Sequence, residues 1–410
     1  MTTRRNLFII AGGAVAAGGT AVLTGCRDRE PVAVAVPDVL LADGRQGLVV
    51  LGGARPHRLG GAAVASPDGG LVYAVTRTGT SGSVLVRLNP ADGVPNRSIA
   101  LGGGWVPRVA SADGRWCALT VTPASARPTA RARTPLLVTD EGRQQRYDLG
   151  GVVEPDAFTA DGTGLFVLEW LPPAAPDRYR VRLLDLVSGA LQPLLTRNKV
   201  PVPAGAEEEM RGDGRQAVLS PDRQVLYTLY THQPDHQHTR DLIAGRRGNV
   251  HAFVHVLHLV QRWAYCLDLP HPFGEGPAEG HAVAVSADGQ RLVVADVTSG
   301  SLAYAETTGL TIERVVAIPA GRGAASVALA PDERRVFVGA GTTVTVLDRG
   351  TDTVTARWDV PGAIRGLGLS RDAARVYAGG TDEVVWLDAG SGTLRGRAAV
   401  AGLIALRHVA

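Results

Sequence analysis

The chain has 410 residues, of which 45% are hydrophobic and 20% are charged. This composition is typical of a globular protein and excludes an intrinsically disordered chain. The formal net charge of +3 excludes the strongly basic surface with which proteins neutralise phosphates, so we expect no nucleic-acid partner.

The N-terminus has a charged start, an apolar middle and a small-residue end. Arg4 and Arg5 come first, a Gly- and Ala-rich apolar stretch extends to about Val22, and Leu23-Thr24-Gly25-Cys26 follows. This order is typical of a secretory signal peptide. A signal anchor is the alternative, but four glycines interrupt the stretch, and a membrane-spanning helix needs about 20 strongly apolar residues.

Two short motifs in this region resemble bacterial export signals. Leu23-Thr24-Gly25-Cys26 resembles a lipobox, and Arg4-Arg5 resembles a twin-arginine signal, although Leu7-Phe8 stands where that family usually has Phe-Leu. The lipobox resemblance implies cleavage before Cys26 and acylation of its sulfur, and each buried methylene then contributes about 0.8 kcal/mol to membrane binding. We therefore predict a signal peptide over residues 1–25, a tether over residues 26–31, and a lipid-anchored protein on the extracytoplasmic side of the cell membrane.

Residues 32–410 are organised as repeats. Seven times an apolar run leads into a turn with Asp at its third position, and these aspartates are 40 to 66 residues apart. Pro fits the second position of a type I turn, Asp can accept hydrogen bonds from its own backbone, and Gly accepts a left-handed conformation, so each turn predicts a hairpin. The turns are Ser66-Pro67-Asp68-Gly69, Ser111-Ala112-Asp113-Gly114, Thr159-Ala160-Asp161-Gly162, Ser220-Pro221-Asp222-Arg223, Ser286-Ala287-Asp288-Gly289, Ala330-Pro331-Asp332-Glu333 and Ser370-Arg371-Asp372-Ala373.

Each repeat contains four strand-like runs. Those of the sixth repeat are Ala325–Ala330, Arg335–Ala340, Thr343–Asp348 and Val354–Val360. They are rich in β-branched and apolar residues with partial alternation, and no sustained helical period appears after residue 30. Repeats of about 40–50 residues with four strands predict an all-β fold, a single β-propeller of four-stranded blades.

The repeat unit resembles a known family. An apolar strand, Ser-Pro-Asp-Gly, Val-Tyr/Phe-Val and Val-x-Val-Leu-Asp are similar to the YVTN-type and WD40-like β-propeller repeats of bacterial surface proteins. The segments that carry the resemblance best are Ser66–Val75, Arg335–Val338 and Val344–Asp348. It covers about residues 60–400, is weakest in the fourth repeat, and implies a fold rather than an activity.

The number of blades depends on the two chain ends. Seven complete repeats leave Val32–Gly53 and Ala401–Ala410 unassigned. The tail is typical of an innermost strand, and Asp38–Ala42 and Gly47–Leu51 are typical of the outer strands of the same blade. Pairing the two ends would close the ring and remove two exposed edges. The strand count favours seven complete repeats plus a split eighth blade, and a seven-bladed ring is the alternative.

Four long insertions are predicted to lie on one face of the ring. They are Thr122–Thr134, Thr196–Asp213, His232–Asn249 and Pro270–Gly280. They join second to third strands or one blade to the next, opposite the Ser-Pro-Asp-Gly-like turns. Because long loops on a rigid scaffold usually carry binding residues, we expect ligand contacts on this face, around blades two to five.

The histidines are concentrated in the same region, since eight of the ten lie within residues 232–281. Neutral imidazoles and carboxylates bind zinc or copper, and Glu207-Glu208-Glu209 could approach from the preceding insertion. The spacing matches no closed structural-zinc pattern, and a solvated polar loop is the alternative. The candidate ligands of a divalent metal are His232, Asp235, His236 and His238, and no other cofactor is predicted.

The remaining histidines and cysteines have simpler interpretations. His251, His255 and His258 are expected to be half-buried residues on or near the third strand of blade four. Cys117 and Cys266 fall in different, non-adjacent repeats. A disulfide is chemically feasible outside the cytoplasm, but we expect two buried thiols.

Three functions are compatible with the sequence. The favoured one is a lipid-anchored extracytoplasmic propeller that binds or scaffolds a protein or cell-envelope ligand. Its membrane contact is the Cys26 lipid, and it has no predicted catalytic residue. The second is a propeller enzyme, either lactonase-like or a cofactor- or metal-dependent oxidoreductase, because propellers of similar repeat type include such enzymes. The third is a divalent-metal-binding lipoprotein that uses the histidine-rich loop.

Overall fold

The computed structural model describes residues 4–6, 35–53, 57–60, 62–78, 82–121, 128–140, 142–211, 214–234, 236–248 and 250–409. Strand β1 (Arg4–Asn6) pairs antiparallel with residues 216–218. The rest of the predicted signal peptide, Cys26 and the tether lie outside the described residues. In the described part of the chain, no helix is long and apolar enough to span a bilayer.

The first half of the chain is a series of antiparallel hairpins. In chain order its further strands are β2 (Leu40–Gly44), β3 (Gly47–Leu51), β4 (His57–Gly60), β5 (Ala63–Ala65), β6 (Val72–Thr78), β7 (Gly82–Leu88), β8 (Pro95–Gly102), β9 (Val106–Ala110), β10 (Cys117–Thr120), β11 (Arg133–Thr139), β12 (Gln144–Gly150), β13 (Val152–Phe158), β14 (Gly164–Leu171), β15 (Arg178–Asp185) and β16 (Leu191–Gln192).

The second half continues in the same way and adds one short helix, α1 (Thr239–Ala244), and a 3-10 turn over Ala278–Gly280. The sequence did not predict α1. The strands are β17 (Arg215–Leu219), β18 (Val225–Tyr230), β19 (Phe253–His258), β20 (Ala264–Asp268), β21 (His281–Val285), β22 (Arg291–Asp296), β23 (Ser301–Glu306), β24 (Thr311–Ala317), β25 (Ser326–Leu329), β26 (Arg335–Ala340), β27 (Thr343–Asp348), β28 (Thr353–Asp359), β29 (Leu367–Leu369), β30 (Arg375–Gly379), β31 (Glu383–Asp388), β32 (Leu394–Ala399) and β33 (Leu403–Val409).

Within the described residues these strands form eight sheets, which are the blades of an all-β, eight-bladed propeller. Blades one to seven each use four consecutive strands, β5–β8, β9–β12, β13–β16, β17–β20, β21–β24, β25–β28 and β29–β32. The closing blade is built from both chain ends, in the order β33-β2-β3-β4. Seven complete repeats with a split eighth, as predicted, are compatible with this ring.

Side-chain ion pairs hold the closing blade to its neighbours and to itself. Arg407 of β33 pairs with Asp43 of β2. Arg375 of β30 donates from Nε to Asp38 Oδ2 at 2.8 Å, and the Tyr377 hydroxyl donates to the same oxygen at 2.6 Å. Asp38 therefore ties the N-terminal end of the propeller to blade seven.

The burial of each strand follows its position in the blade. The inner strand β21 is buried throughout, whereas the outermost strand β24 of the same blade alternates between exposed and half-buried residues. Apolar clusters lie between successive blades, for example Phe337 and Trp358 of blade six against Val376 and Val385 of blade seven. Each blade is thus stabilised mainly by its two neighbours, as in other repeat proteins.

In all seven repeat turns the Asp carboxylate accepts a hydrogen bond from a nearby backbone amide, as predicted. In six of them the first residue's hydroxyl donates to the Asp carboxylate, at 2.5–2.6 Å; in the remaining turn Ala330 replaces this hydroxyl and Asp332 accepts from the Arg334 amide. The fourth residue is left-handed in each turn. It is Gly in four turns and Arg223, Glu333 or Ala373 in the others, with φ of 64°, 56° and 56°.

Candidate functional site

A cavity of about 390 Å³ lies between blades three and four. Its walls come from β15, from the link between β16 and β17, from the loop between β18 and β19 that includes α1, and from β19 and β20. Two of the predicted insertions, 196–213 and 232–249, therefore meet at one cavity.

Most of the cavity wall is apolar. Buried Val181, Leu194 and Met210 line its inner part, while Val200 and Ile243 are 57% and 58% exposed. The two exposed residues come from different insertions, so apolar side chains from both contribute to the wall. A largely apolar wall with few polar groups is typical of small-molecule pockets.

Tyr265 of β20 contributes an aromatic ring to the wall. The guanidinium carbons of Arg197 and Arg240 lie 5.6 and 5.5 Å from its ring centroid. Arg197 donates to the backbone oxygens of Thr308 and Gly309 in blade five, and Arg240 pairs with Asp268. The cavity thus has cationic and aromatic groups side by side, an arrangement that can contact an acidic or aromatic group of a ligand.

One wall of the cavity leads to a buried polar group, which we call the Glu208 cluster: Glu208, His236, His238, Cys266 and Asp268. Glu208 is held at both oxygens. The Thr239 amide donates to Oε1 at 2.8 Å, and the Cys266 thiol donates to Oε2 at 2.9 Å. This arrangement fixes the orientation of the carboxylate.

The two imidazoles of the cluster are almost completely buried, at 5% exposure for His236 and 1% for His238. His236 Nε2 and His238 Nδ1 lie 3.6 and 3.5 Å from Glu208 Oε2. Phe253 packs against both rings, with centroids 4.4 and 5.1 Å away. His238 Nε2 lies 2.6 Å from Asp268 Oδ1.

The local charges shift the pKa values of the cluster. Burial acts to raise the pKa of Glu208, but the neighbouring rings of His236 and His238 outweigh it and hold this pKa well below its ordinary range. Burial acts to lower the pKa of His238, but Asp268 and Glu208 raise it to about 9. Burial lowers the pKa of His255 to about 4. At neutral pH, Glu208 is therefore ionised, His238 protonated and His255 neutral.

Cys266 is not an activated nucleophile. Burial, followed by the negative charge of Glu208, raises the pKa of its thiol well above the ordinary value. Reactive cysteines have the opposite environment, one that stabilises a thiolate. Cys117 and Cys266 are both free and buried, as the sequence predicts.

The predicted site residues are distributed as follows. His236 and His238 lie together beside Glu208. His232 is outside the cluster, with its Nδ1 3.4 Å from Thr231 Oγ1, and Asp235 lies outside the described residues. Of the three consecutive glutamates, Glu207 pairs with Arg180 and Arg182 and Glu209 pairs with Arg178.

Sequence reasoning missed the contribution of β20 to this site. Cys266 was read as a small buried hydrophobe, and Asp268 was not considered. Alternation along a strand places residues 264, 266 and 268 on one face, which was the available signal. The sequence does not reveal that this face meets two insertions.

A second buried polar group lies on the inner strands of blades two to four. Arg108 of β9 lies 3.3 Å from Glu154 of β13, and the Trp170 indole donates to the same carboxylate at 3.3 Å. Arg215 of β17 pairs with Asp156 of β13. Each of these acidic groups is paired, which is what allows it to be buried.

Comparisons with known proteins find distant likenesses among solved structures only. No protein-family model matches the sequence, and no curated protein is similar to it. A dihydro-heme d1 dehydrogenase, NirN, in complex with DHE is 15% identical with a TM-score of 0.49, and covers 92% of this chain and 76% of its own. AztD of Citrobacter koseri is 10% identical with a TM-score of 0.49 (90% and 96%), and the periplasmic gluconolactonase PpgL of Pseudomonas aeruginosa is 18% identical with a TM-score of 0.42 (83% and 99%). The β-propeller fold of this chain is defined by its own eight sheets.

Proposed function

We propose that the protein is a lipid-anchored binding module of the cell envelope and that it binds a small, largely apolar molecule between blades three and four. The observation that carries this proposal is the apolar cavity of about 390 Å³ formed where two insertions meet. Its volume falls within the range of about 300–1,000 Å³ that is usual for small-molecule sites.

The groups around the cavity indicate the chemistry of the ligand. Apolar side chains dominate the wall, while Arg197 and Arg240 flank Tyr265. A molecule with an apolar body and one acidic group would bury the body against Val181, Leu194 and Met210 and direct the acid to the guanidinium groups. Burial of apolar surface would supply most of the affinity, at about 25 cal/mol per Å².

A dye with this chemistry provides the test. We expect 1-anilinonaphthalene-8-sulfonate to bind the detergent-solubilised full chain with one saturable site, followed by its fluorescence. Ala264→Phe places a larger side chain in the cavity from β20 and should weaken binding at least tenfold. Val354→Phe makes the substitution at an exposed position on the outermost strand of blade six and should leave binding unchanged.

The cavity proposal fails if no saturable site is found, or if a folded Ala264→Phe chain binds the dye as wild type does. Circular dichroism and melting temperature establish that each variant is folded.

The membrane anchor has a separate test. Cys26→Ala should move the protein out of the membrane fraction and abolish its labelling by palmitate, because it removes the proposed acylation site. Cys117→Ser changes a buried thiol in blade two and should do neither. Replacing Arg4 and Arg5 by lysine should block export. A membrane-bound Cys26→Ala chain would contradict the anchor without affecting the cavity proposal.

A further inference from the structure

We propose that Glu208, His238 and Cys266, with His236 beside them, form a site for a thiophilic divalent cation, of which zinc is the principal candidate. This inference does not rest on the small-molecule proposal. It concerns a different ligand, and its donor atoms lie partly behind the cavity wall. Of the four residues, only Glu208 and Cys266 line the cavity.

The spacing of the donor atoms fits one metal ion. His236 Nε2, His238 Nδ1 and Cys266 Sγ lie 3.6, 3.5 and 2.9 Å from Glu208 Oε2. The donor atoms of Glu208, His238 and Cys266 all lie within 4.8 Å of one another. Zinc bonds of about 2.0–2.3 Å in a tetrahedron separate neighbouring donors by roughly 3.4 Å, so Cys266 Sγ and Glu208 Oε2, which are 2.9 Å apart, must move apart by about half an ångström.

The imidazole nitrogens supply independent evidence for a ligand. His236 Nε2 and His238 Nδ1 are buried and have no hydrogen-bond partner among the residues that the structure describes. Both lie near Glu208 Oε2, yet both are too distant from it for a hydrogen bond. Buried polar atoms in native proteins are almost always partnered. A cation between these nitrogens and the carboxylate would provide that partner.

The surrounding groups orient the proposed ligands. Asp268 Oδ1 lies 2.6 Å from the second ring nitrogen of His238, although the two atoms are not aligned for a hydrogen bond. A carboxylate beside a ligating histidine is common around metal sites. The Thr239 amide holds Glu208 Oε1 at 2.8 Å and leaves Oε2 facing the donors. These contacts would preserve the site geometry while the cation enters.

The donor set determines the class of metal. Thiolate and imidazole donors favour zinc and related soft or borderline ions, whereas magnesium and calcium prefer oxygen ligands. Glu208, His238 and Cys266 would supply three of the four ligands of a tetrahedral zinc ion, and His236 would have to move toward them to supply the fourth. On binding, the Cys266 thiol and the protonated His238 ring each release one proton to solvent, which leaves a thiolate and a neutral imidazole as ligands. The ion would connect the β16–β17 link and the β18–β19 loop to β20.

Calorimetric titration with Zn²⁺ alone tests the site in the detergent-solubilised full chain after treatment with a chelator. We expect one zinc per chain and a higher melting temperature with zinc. Cys266→Ser and His238→Gln should each weaken binding more than 100-fold, and Asp268→Asn should weaken it 10- to 100-fold. Cys117→Ser and His271→Gln, a buried thiol and an exposed imidazole elsewhere, should leave the affinity unchanged.

Cobalt provides a readout that does not depend on whether a variant folds. Co²⁺ bound to wild type should give a near-ultraviolet thiolate charge-transfer band and the intense visible bands of a tetrahedral ion. The absence of saturable one-to-one zinc binding, or a cobalt spectrum without the thiolate band, would overturn the proposal. Unchanged zinc affinity in a folded Cys266→Ser chain would do the same. Loss of zinc binding with retained dye binding would leave the small-molecule proposal intact.

Discussion

Blades six and seven differ from blades three and four in both their loops and their inner strands. In blade six, β26 and β27 are separated only by residues 341–342, and the inner strand β25 is the buried segment Ser326–Leu329. Between blades three and four, the β16–β17 link covers residues 193–214 and the β18–β19 loop covers residues 231–252. The inner strands there carry buried Glu154 and Asp156 and half-buried Arg215.

This comparison shows which features are needed to form a blade and which are added only in blades three and four. Blades six and seven show that the repeat needs only apolar inner strands and the Asp turn to form a blade. Blades three and four keep the same strands and turns but add two insertions and buried charges. Buried charges destabilise a protein unless they are paired, so their presence in blades three and four indicates a role other than simple packing. The cavity and the Glu208 cluster lie at these two blades.

The largest effect on stability is expected from breaking the buried ion pair between blades three and four. Asp156→Asn removes the charge that pairs with Arg215 and leaves a buried guanidinium without its counter-charge. We expect the free energy of unfolding to fall by about 3–5 kcal/mol, measured by urea denaturation.

The exposed pair of Arg133 and Asp148 in blade two provides the matched control. Its side chains are 59% and 60% exposed, so Asp148→Asn should cost about 0–1 kcal/mol. Equal losses of unfolding free energy in the two variants would show that the buried Asp156 pair contributes no more than an exposed pair. The buried charges would then not distinguish blades three and four energetically.

A smaller effect is expected from a buried group that titrates. His408 of the closing strand β33 is 4% exposed, and burial lowers the pKa of its ring from 6.5 to about 4, although the negative charge of Asp68 opposes the shift. The unfolded chain therefore binds a proton that the folded chain does not between about pH 6.5 and pH 4. This group's contribution falls as the pH falls, by about 2 kcal/mol between pH 7.5 and pH 5.

The slope of stability against pH is the measurement. His408→Gln should reduce the loss of unfolding free energy between pH 7.5 and pH 5 by about 2 kcal/mol, whatever the variant does to stability at neutral pH. His271→Gln replaces an exposed histidine and should leave the slope unchanged. If His408→Gln leaves the slope as in wild type, the ring of His408 does not resist protonation in the folded protein.

The structure of the regular blades, such as blade six, was predictable because their sequence pattern is local. The runs predicted for blade six at Arg335–Ala340 and Thr343–Asp348 coincide with β26 and β27, and the first and fourth runs differ from β25 and β28 by one residue at each end. Alternation, turn chemistry and repeat length all depend on residues close in sequence. The closing blade was also predictable, because unassigned strands at both ends leave few ways to close a ring.

The candidate site was only partly predictable because it is non-local. Histidine density marked His236 and His238, and the preceding insertion marked Glu208. Cys266 and Asp268 lie on a strand whose pattern resembles any outer strand, and their role depends on which insertions fold over it. His232 is only four residues from His236, yet it lies outside the cluster, so density within a loop did not determine which side chains converge.

The smallest effect on stability is expected at the repeat turns. All seven complete repeats share them, so they should respond alike to substitution. Gly289 has φ of 76°, and a Cβ there would meet its nearest neighbour, Pro221, at an ordinary 3.4 Å. Gly289→Ala should therefore cost only the left-handed conformation, about 1 kcal/mol. Ala373 adopts φ of 56°, and Ala373→Gly should gain about 0.5 kcal/mol, since the flexibility of glycine in the unfolded chain offsets part of the relief.

These two substitutions form a reciprocal pair across the ring, one in blade five and one in blade seven. Denaturation midpoints of the two variants and wild type measure them directly. Opposite signs would show that the turn conformation sets the preference wherever the turn occurs. A neutral Gly289→Ala together with a destabilising Ala373→Gly would mean that local packing decides it instead. The repeat turns of blades five and seven would then differ in their packing, just as the loops of different blades differ in length.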